Sequence, residues 1–280
     1  MRLIKKTVFL LALISIPFCP AFGKDSDWND LDKQVTVLYD QGKYQEALPL
    51  AEQALKKAQD AFGLEHPDVA QALNHLARIY ESLGKYAEAQ AYYERTIGML
   101  EKSLGPNHAD VATAQYNLAT FYDNQGKQDK AEEFYLKAAT TAEKALGKEH
   151  PDLAAILNNL ALLYNSEGKF QDAESLYNRA LAIWEKTLGP DDPTVAQTLN
   201  NLAVLYTSEG KYFEAEPLYQ RSLSVIEKSF GKDHPNTAVV LKNMADFYRK
   251  IGREKDALPL EARLKEIHGG QTAALPAKGN

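Results

Sequence analysis

The chain has 280 residues, a formal net charge of −6 at pH 7 and a single cysteine. Lysine and arginine form no cluster after the first few residues, which argues against nucleic acid as a partner. One cysteine cannot form a disulfide within the chain, so packing alone must hold the fold.

Residues 1–23 have the parts of a secretory signal peptide. The positive start consists of Arg2, Lys5 and Lys6, residues 8–18 form a short apolar core, and small residues precede a cut before Lys24. The apolar core is shorter than the about 20 residues that a spanning helix needs. We expect cleavage, a periplasmic or secreted protein, and no stable membrane insertion afterwards. An uncleaved anchor and a lipoprotein acylated at Cys19 are the alternatives, and the bulky Phe18 disfavours the second.

Residues 24–268 repeat one pattern every 42 residues, and 149–189 show it most clearly as two helices joined by a glycine turn. Glycine ends a helix without a Cβ clash, so glycines at this period predict helical hairpins. The turn glycines are Gly42, Gly84, Gly126, Gly168, Gly210 and Gly252, and those between hairpins are Gly63, Gly105, Gly147, Gly189 and Gly231. The predicted hairpins are 27–63, 64–105, 106–147, 148–189, 190–231 and 232–268.

Side chains with the same period predict the core of these hairpins. Small residues such as Ala77 and Ala89 recur on both helices of a hairpin and let the helices approach closely. Tyrosines recur as well, four residues after an apolar position, and we interpret them as core rather than as a cofactor site.

Histidine begins most of the first helices. His66, His150 and His234 precede proline, whereas His108 precedes Ala109 and should start its helix less firmly. Neighbouring repeats lie roughly 16–20 Å apart, so these histidines cannot share a metal ion. We interpret them as helix caps and loop-packing residues.

Both ends of the array are atypical. Tyr39 lies one residue closer to its turn glycine than Tyr80 does, which predicts an irregular first helix. Glu261 replaces a repeated tyrosine, which suits a capping hairpin. Residues 269–280 lack apolar periodicity and are predicted to be disordered.

The repeated residues L-N-N-L-A-x-L-Y-x-x-x-G-K-[YF]-x-x-A-E-x-L-Y, followed by E-K-x-[LF]-G and H-P-[DN], closely resemble the tetratricopeptide repeat in its 42-residue form. This form occurs in kinesin light chains. The resemblance is strong over 63–250 and looser over 28–62 and 253–268. It implies an all-α solenoid, a right-handed superhelix of about six hairpins with a concave groove for peptides or extended protein segments. The light-chain role does not carry over, because the chain starts with an export signal and lacks a heptad region.

Two polar columns on the first helices are predicted to face this groove. The first column is Asn74, Tyr116, Asn158, Asn200 and Lys242, and the second is His75, Asn117, Asn159, Asn201 and Asn243. An amide both donates and accepts hydrogen bonds, which suits the backbone of an extended peptide. In the alternative interpretation, one of the columns bridges adjacent repeats internally.

The resemblance implies ligand contact for the asparagines of both columns, with His75, Arg78 and Lys242 beside them. A carboxylate clamp would also need basic residues, and candidates occur only at the ends, as Arg78, Lys242, Arg249 and Lys250. Leu162 and Val204 make the middle of the groove more apolar, which disfavours such a clamp.

No H-E-x-x-H, G-x-S-x-G or Walker motif occurs in the sequence. We therefore predict a scaffold without catalysis, cofactor or metal that binds a protein or extended peptide in envelope assembly or secretion. The alternative is a structural spacer or self-associating array, and an enzyme with a site between irregular repeats ranks last. The sequence does not specify the oligomeric state.

Overall fold

The computed structural model describes residues 26–273, with side chains for 28–269, and the predicted signal peptide lies outside the described residues. All regular elements in 26–273 are α-helices, two for each hairpin. They are α1 (Ser26–Asp40), α2 (Tyr44–Phe62), α3 (Pro67–Ser82), α4 (Tyr86–Leu104), α5 (Ala109–Asn124), α6 (Gln128–Leu146), α7 (Pro151–Glu167), α8 (Phe170–Thr187), α9 (Pro193–Glu209), α10 (Tyr212–Phe230), α11 (Pro235–Lys250) and α12 (Glu254–Ala273). The fold is an all-α repeat solenoid, as predicted.

Each hairpin turns at a glycine with positive φ, such as Gly84 at +74° and Gly126 at +69°. The residue after the glycine, a lysine in the first five hairpins and Arg253 in the last, closes the turn by donating its backbone N–H to a carbonyl in the last turn of the first helix. This bond is 2.8 Å long from Lys85 to Tyr80 and 2.9 Å from Lys127 to Tyr122. The repeated G-K pair therefore has a backbone role in ending the first helix.

The recurring histidines cap helices, as predicted. Nδ1 of His66 accepts from the N–H of Asp68 at 3.2 Å, and His150 and His234 make the same bond two residues onward. His108 also makes it, at 3.2 Å, although alanine follows. The expected weaker start of α5 is therefore not seen, because the cap depends on the imidazole acceptor and not on proline.

The described chain forms two compact units, residues 26–156 and 157–273, with the boundary inside α7. In the first unit, the ring of Phe121 lies 5.4 Å from that of Tyr93, and alanines such as Ala89 are buried. In the second, Tyr219 packs with Ala203, Ala215 and Phe247 in one cluster. A further cluster there contains Ala161, Ala173, Tyr177, Leu202 and Leu205. The predicted core of alanines and aromatics is present in each unit.

The first helix is regular in its backbone, contrary to expectation. Lys43 donates to the carbonyl of Leu38 at 2.9 Å, which is the bond that Lys85 makes to Tyr80. Leu38 thus occupies the usual place of the tyrosine, and Tyr39 lies where Glu81 does one repeat later. Only the side-chain order differs, because the glycine turn fixes the backbone.

The last helix runs past its predicted end at His268 to Ala273. Gly269 does not have the positive φ of the turn glycines, so no turn ends the helix there. The helix thus extends over 269–273 of the predicted tail, and 274–280 lie outside the described residues. Within 26–273, none of the helices combines the length and apolarity needed to cross a bilayer.

Candidate binding face

Both predicted polar columns lie on first helices, and we call the surface that they form within each unit the ladder face of that unit. In unit 26–156 it comprises Asn74, His75, Tyr116 and Asn117, on α3 and α5. In unit 157–273 it comprises Asn158, Asn159, Asn200, Asn201, Lys242 and Asn243, on α7, α9 and α11.

Asparagine amides bridge successive repeats within each unit. Nδ2 of Asn117 donates to Oδ1 of Asn74 at 3.0 Å. In the second unit, Asn201 donates in the same way to Asn158 at 3.4 Å, and Asn243 to Asn200 at 3.1 Å. Each bond joins a second-column amide to a first-column amide of the preceding repeat. The internal-bridging interpretation therefore describes these three pairs.

The first-column amides are the more deeply buried of the two in the second unit. Asn158 is 2% exposed and Asn200 6%, whereas Asn201 and Asn243 are only partly buried. A buried amide needs partners, and the bridges supply them. Each bridge uses one N–H of the second-column amide, so its oxygen and other N–H remain outside the bridge.

The contact between the first two repeats is made by an aspartate and a histidine. Asp32 stands one period before Asn74, and its Oδ1 lies 2.7 Å from Nδ1 of His75. Its Oδ2 accepts from Nε2 of Gln71 at 2.7 Å. Sequence reasoning missed Asp32, although counting one period back from Asn74 would have found it. His75 is thus an inter-repeat contact at this position.

One helical turn after the two columns, the type of side chain on the ladder face differs from repeat to repeat. The guanidinium carbon of Arg78 lies 4.3 Å from the ring centre of Tyr39, an arrangement that favours a cation–π contact. Leu162 and Val204 are half-buried at the equivalent position of the second unit, and Asp246 is exposed there. The second unit therefore combines amides with apolar side chains.

A further column of polar side chains, which includes Glu81 and Thr207, contacts the hydroxyls of tyrosines on the second helices. The Tyr93 hydroxyl donates to Glu81 at 2.9 Å, and burial together with this carboxylate raises the pKa of Tyr93 well above its ordinary value. Thr207 lies 3.3 Å from the hydroxyl of Tyr219. These polar side chains mainly connect the two helices of one hairpin.

Arg249 takes the position of Glu81 and Thr207 in the last hairpin. Its guanidinium donates two hydrogen bonds to the carboxylate of Glu261, at 2.8 and 2.9 Å. Hydrogen bonding from Arg249 lowers the pKa of Glu261 below its ordinary value. A guanidinium held in this way is a poor clamp for a ligand carboxylate. Lys242, in contrast, is exposed on α11.

In the part of the chain that the structure describes, no group of three His, Cys, Asp or Glu side chains could hold a metal ion. The ladder face offers amides, hydroxyls and apolar side chains. Such groups recognise a ligand by hydrogen bonds and contact area.

The sequence matches the family model described as the tetratricopeptide repeat over residues 32–102, 83–144, 110–186, 152–212 and 194–268. The fold is similar to that of BtubC (BKLC) from P. vanneervenii, with a TM-score of 0.68 and 21% identity over 91% of this chain and 96% of that one. It is also similar to a putative kinesin light chain of Podosopora anserina with nearly identical TPR-like repeats. That likeness has a TM-score of 0.64 and 27% identity over 74% of this chain and 99% of the other. For PilW, a type IV pilus biogenesis factor, the values are 0.63 and 18% over 87% and 94%. No curated protein matches the sequence significantly.

Proposed function

Because the chain belongs to the tetratricopeptide repeat family, we propose that it is an exported, non-catalytic scaffold whose ladder face binds an extended protein segment. The difference between the two amide columns carries this proposal. In unit 157–273 the buried first-column amides of Asn158 and Asn200 accept the bridges. The partly buried Asn201 and Asn243 keep an oxygen and an N–H outside those bridges, and these groups match the N–H and C=O of an extended backbone.

The same face favours an internal segment of the partner over its carboxyl terminus. A terminal carboxylate needs fixed cations, yet Arg249 is bonded to Glu261. Lys250 donates to the backbone carbonyl of Thr207 at 2.7 Å. Leu162 and Val204 lie half-buried among the amides, where they suit apolar side chains of a bound segment. Main-chain bonds then give affinity, and these apolar positions give selectivity.

Export rests on the charged start and short apolar stretch of residues 1–23. Intact-mass analysis of the protein from its natural host tests it. We expect a chain that starts at Lys24, whereas a full-length chain in the cytoplasmic fraction would contradict the proposal. With export, we place the scaffold in envelope assembly or secretion.

Site-specific photo-crosslinking in living cells tests the ladder face. A benzophenone amino acid replaces Lys242 or Asp246, both exposed on α11, in separate variants. Matched controls carry it at Lys144 and Ser224, which are exposed on the second helices α6 and α10. We expect discrete partner adducts from the two α11 positions and none from the controls.

Equal adducts from all four positions, or none from α11, would contradict binding on the ladder face. Adducts of the chain with itself, together with concentration-dependent oligomers in light scattering, would instead support the self-associating array. Circular dichroism of each variant confirms that the probe has not unfolded the chain.

A further inference from the structure

Successive first helices of the second unit present the same pair of side chains on the ladder face. On α7 the pair is Asn159 and Leu162, and on α9 it is Asn201 and Val204, with all four residues partly buried. On α11, Asn243 continues the row of amides. The face therefore offers an amide in each of three repeats and an apolar side chain in two of them, at a fixed period.

The amide bridges show how long this period is in space. Asn201 donates to Asn158 at 3.4 Å, and Asn243 donates to Asn200 at 3.1 Å, so side chains as short as asparagine join adjacent first helices directly. The first helices are therefore packed in contact, with axes roughly 8–10 Å apart. This is about half the separation expected for neighbouring repeats from the sequence. A ligand that runs along the face meets the next amide after about this distance.

Two conformations of an extended chain cover this distance in three residues. A β-strand rises about 3.3 Å per residue and a polyproline II helix about 3.1 Å, so three residues span about 9–10 Å in both. Side chains of a strand alternate between opposite faces, so three residues onward the side chain points away from the ladder face. A polyproline II helix has three residues per turn, so three residues onward the side chain returns to the same face.

We propose that the ladder face of the second unit binds a partner segment in the polyproline II conformation, with apolar residues spaced three positions apart. This inference rests on the proposed function, because it specifies the segment that the face binds. At a contact residue, the backbone N–H and C=O meet the oxygen and the second N–H of Asn201 or Asn243, which lie outside the bridges. An apolar side chain of the segment lies against Leu162 or Val204.

The charges on this face also fit such a segment. Lys242 and Asp246 are both exposed on α11 and have opposite charges, while Arg249 is bonded to Glu261. A neutral set of groups favours recognition by backbone bonds and apolar contacts over recognition by ion pairs. The two residues between contact residues face solvent, where proline is tolerated and holds the segment in its bound conformation before binding.

Three fluorescein-labelled peptides with capped ends test the conformation and the spacing, by fluorescence anisotropy with the full chain. The first repeats Pro-Pro-Leu three times. The second has the same composition in the order Pro-Leu-Pro-Leu-Pro-Leu-Pro-Pro-Pro, so no two leucines are three positions apart. The third repeats Thr-Thr-Leu three times, which keeps the spacing but favours a strand. We expect the first peptide to bind about tenfold more tightly than either of the others, because it alone combines the spacing with a preformed helix.

Variants of the chain test whether the ladder face is the surface that reads the leucines. Val204→Asn removes one apolar contact and should weaken binding of the Pro-Pro-Leu peptide about fivefold, as expected for a partly buried valine. The matched control Val37→Asn makes the same change at an exposed valine of α1 and should leave binding unchanged. Val204→Thr keeps the shape of valine and should also weaken binding, which gives a second test if Val204→Asn fails to fold.

Equal affinity for the alternating peptide would overturn the three-residue spacing, and equal affinity for the Thr-Thr-Leu peptide would overturn the polyproline II conformation. Absence of binding by the Pro-Pro-Leu peptide, or binding that neither Val204 variant weakens, would overturn the inference as a whole. Photo-crosslinking from α11 separates these outcomes from failure of the proposed function. Partner adducts from α11 would keep that function even when the peptides fail, whereas their absence would contradict both.

Discussion

At the scale of single residues, backbone conformation explains the glycines better than packing does. Gly126 sits in a hairpin turn with φ of +69°, and a Cβ built there would meet no atom within 4 Å. Gly98 lies inside α4 with no positive φ, and it too has open space around a Cβ. The two positions differ in conformation alone, so they form a matched pair.

Substituting alanine at these two glycines should therefore change stability in opposite directions. G98A should raise the free energy of unfolding by about 0.5–1 kcal/mol, since alanine is the better helix former. G126A should lower it by about 1–2 kcal/mol, the cost of a left-handed alanine. Urea unfolding followed by circular dichroism measures both changes. Unchanged stability in G126A would show that the turn does not depend on the glycine conformation, and a loss of stability in G98A would contradict the helix-propensity argument for α4.

At the scale of helices and their pairing, the sequence indicates where helices begin and end, because the glycines and the histidine–proline pairs determine the backbone within one helical turn. Helices α3 and α4 lie within residues 64–105, and Gly84 and Gly105 both have positive φ. Periodicity also places Asn158 and Asn201 in adjacent columns. It does not show that Asn201 donates to Asn158, because that bond depends on how far adjacent helices are shifted along their axes.

The same limit explains the residues that sequence reasoning missed. Asp32 and Tyr39 both belong to α1, where the repeated letters change although the backbone pattern does not. Asp32 takes the place of an asparagine and pairs with His75. Tyr39 takes the place of Glu81 and contacts Arg78. A comparison by turn position rather than by residue identity would have found both.

A double-mutant cycle on Asn200 and Asn243 tests the amide bridge at this scale. N200A and N243A should each cost about 1–2 kcal/mol, because each leaves a partner amide without its bond. The double variant should cost less than the sum, by about 0.5–1.5 kcal/mol of coupling. Asn117 belongs to another bridge, so N117A combined with N243A should be additive and serves as the control. Additivity for N200A/N243A would contradict the bridge.

At the scale of the whole molecule, a tyrosine–glutamate pair recurs in both units. Tyr80 and Tyr206 donate their hydroxyls to Glu52 and Glu174, at 3.2 and 2.8 Å. The equivalent pairs Tyr122–Glu94 and Tyr248–Glu216 have distances of 3.4 and 2.9 Å. Each pair connects a first helix to the second helix of the preceding hairpin. A hydrogen bond from a neutral tyrosine hydroxyl to a glutamate therefore connects adjacent hairpins in both units.

These tyrosine–glutamate hydrogen bonds predict how the folding stability of the whole chain changes at high pH. Burial, with the hydrogen bond to the neighbouring glutamate, raises the pKa of Tyr80 and Tyr206 to about 12, from about 10 in an unfolded chain. The folded state then binds more protons than the unfolded state between pH 10 and 12. The contribution to stability is complete below pH 10 and is lost as pH rises through 12. Absorbance at 295 nm should show these tyrosines ionising late, together with a loss of helical circular dichroism. In Y206F the late absorbance step should shrink by one tyrosine, and a chain whose tyrosines all ionise near pH 10 while it stays helical would rule out the paired phenols.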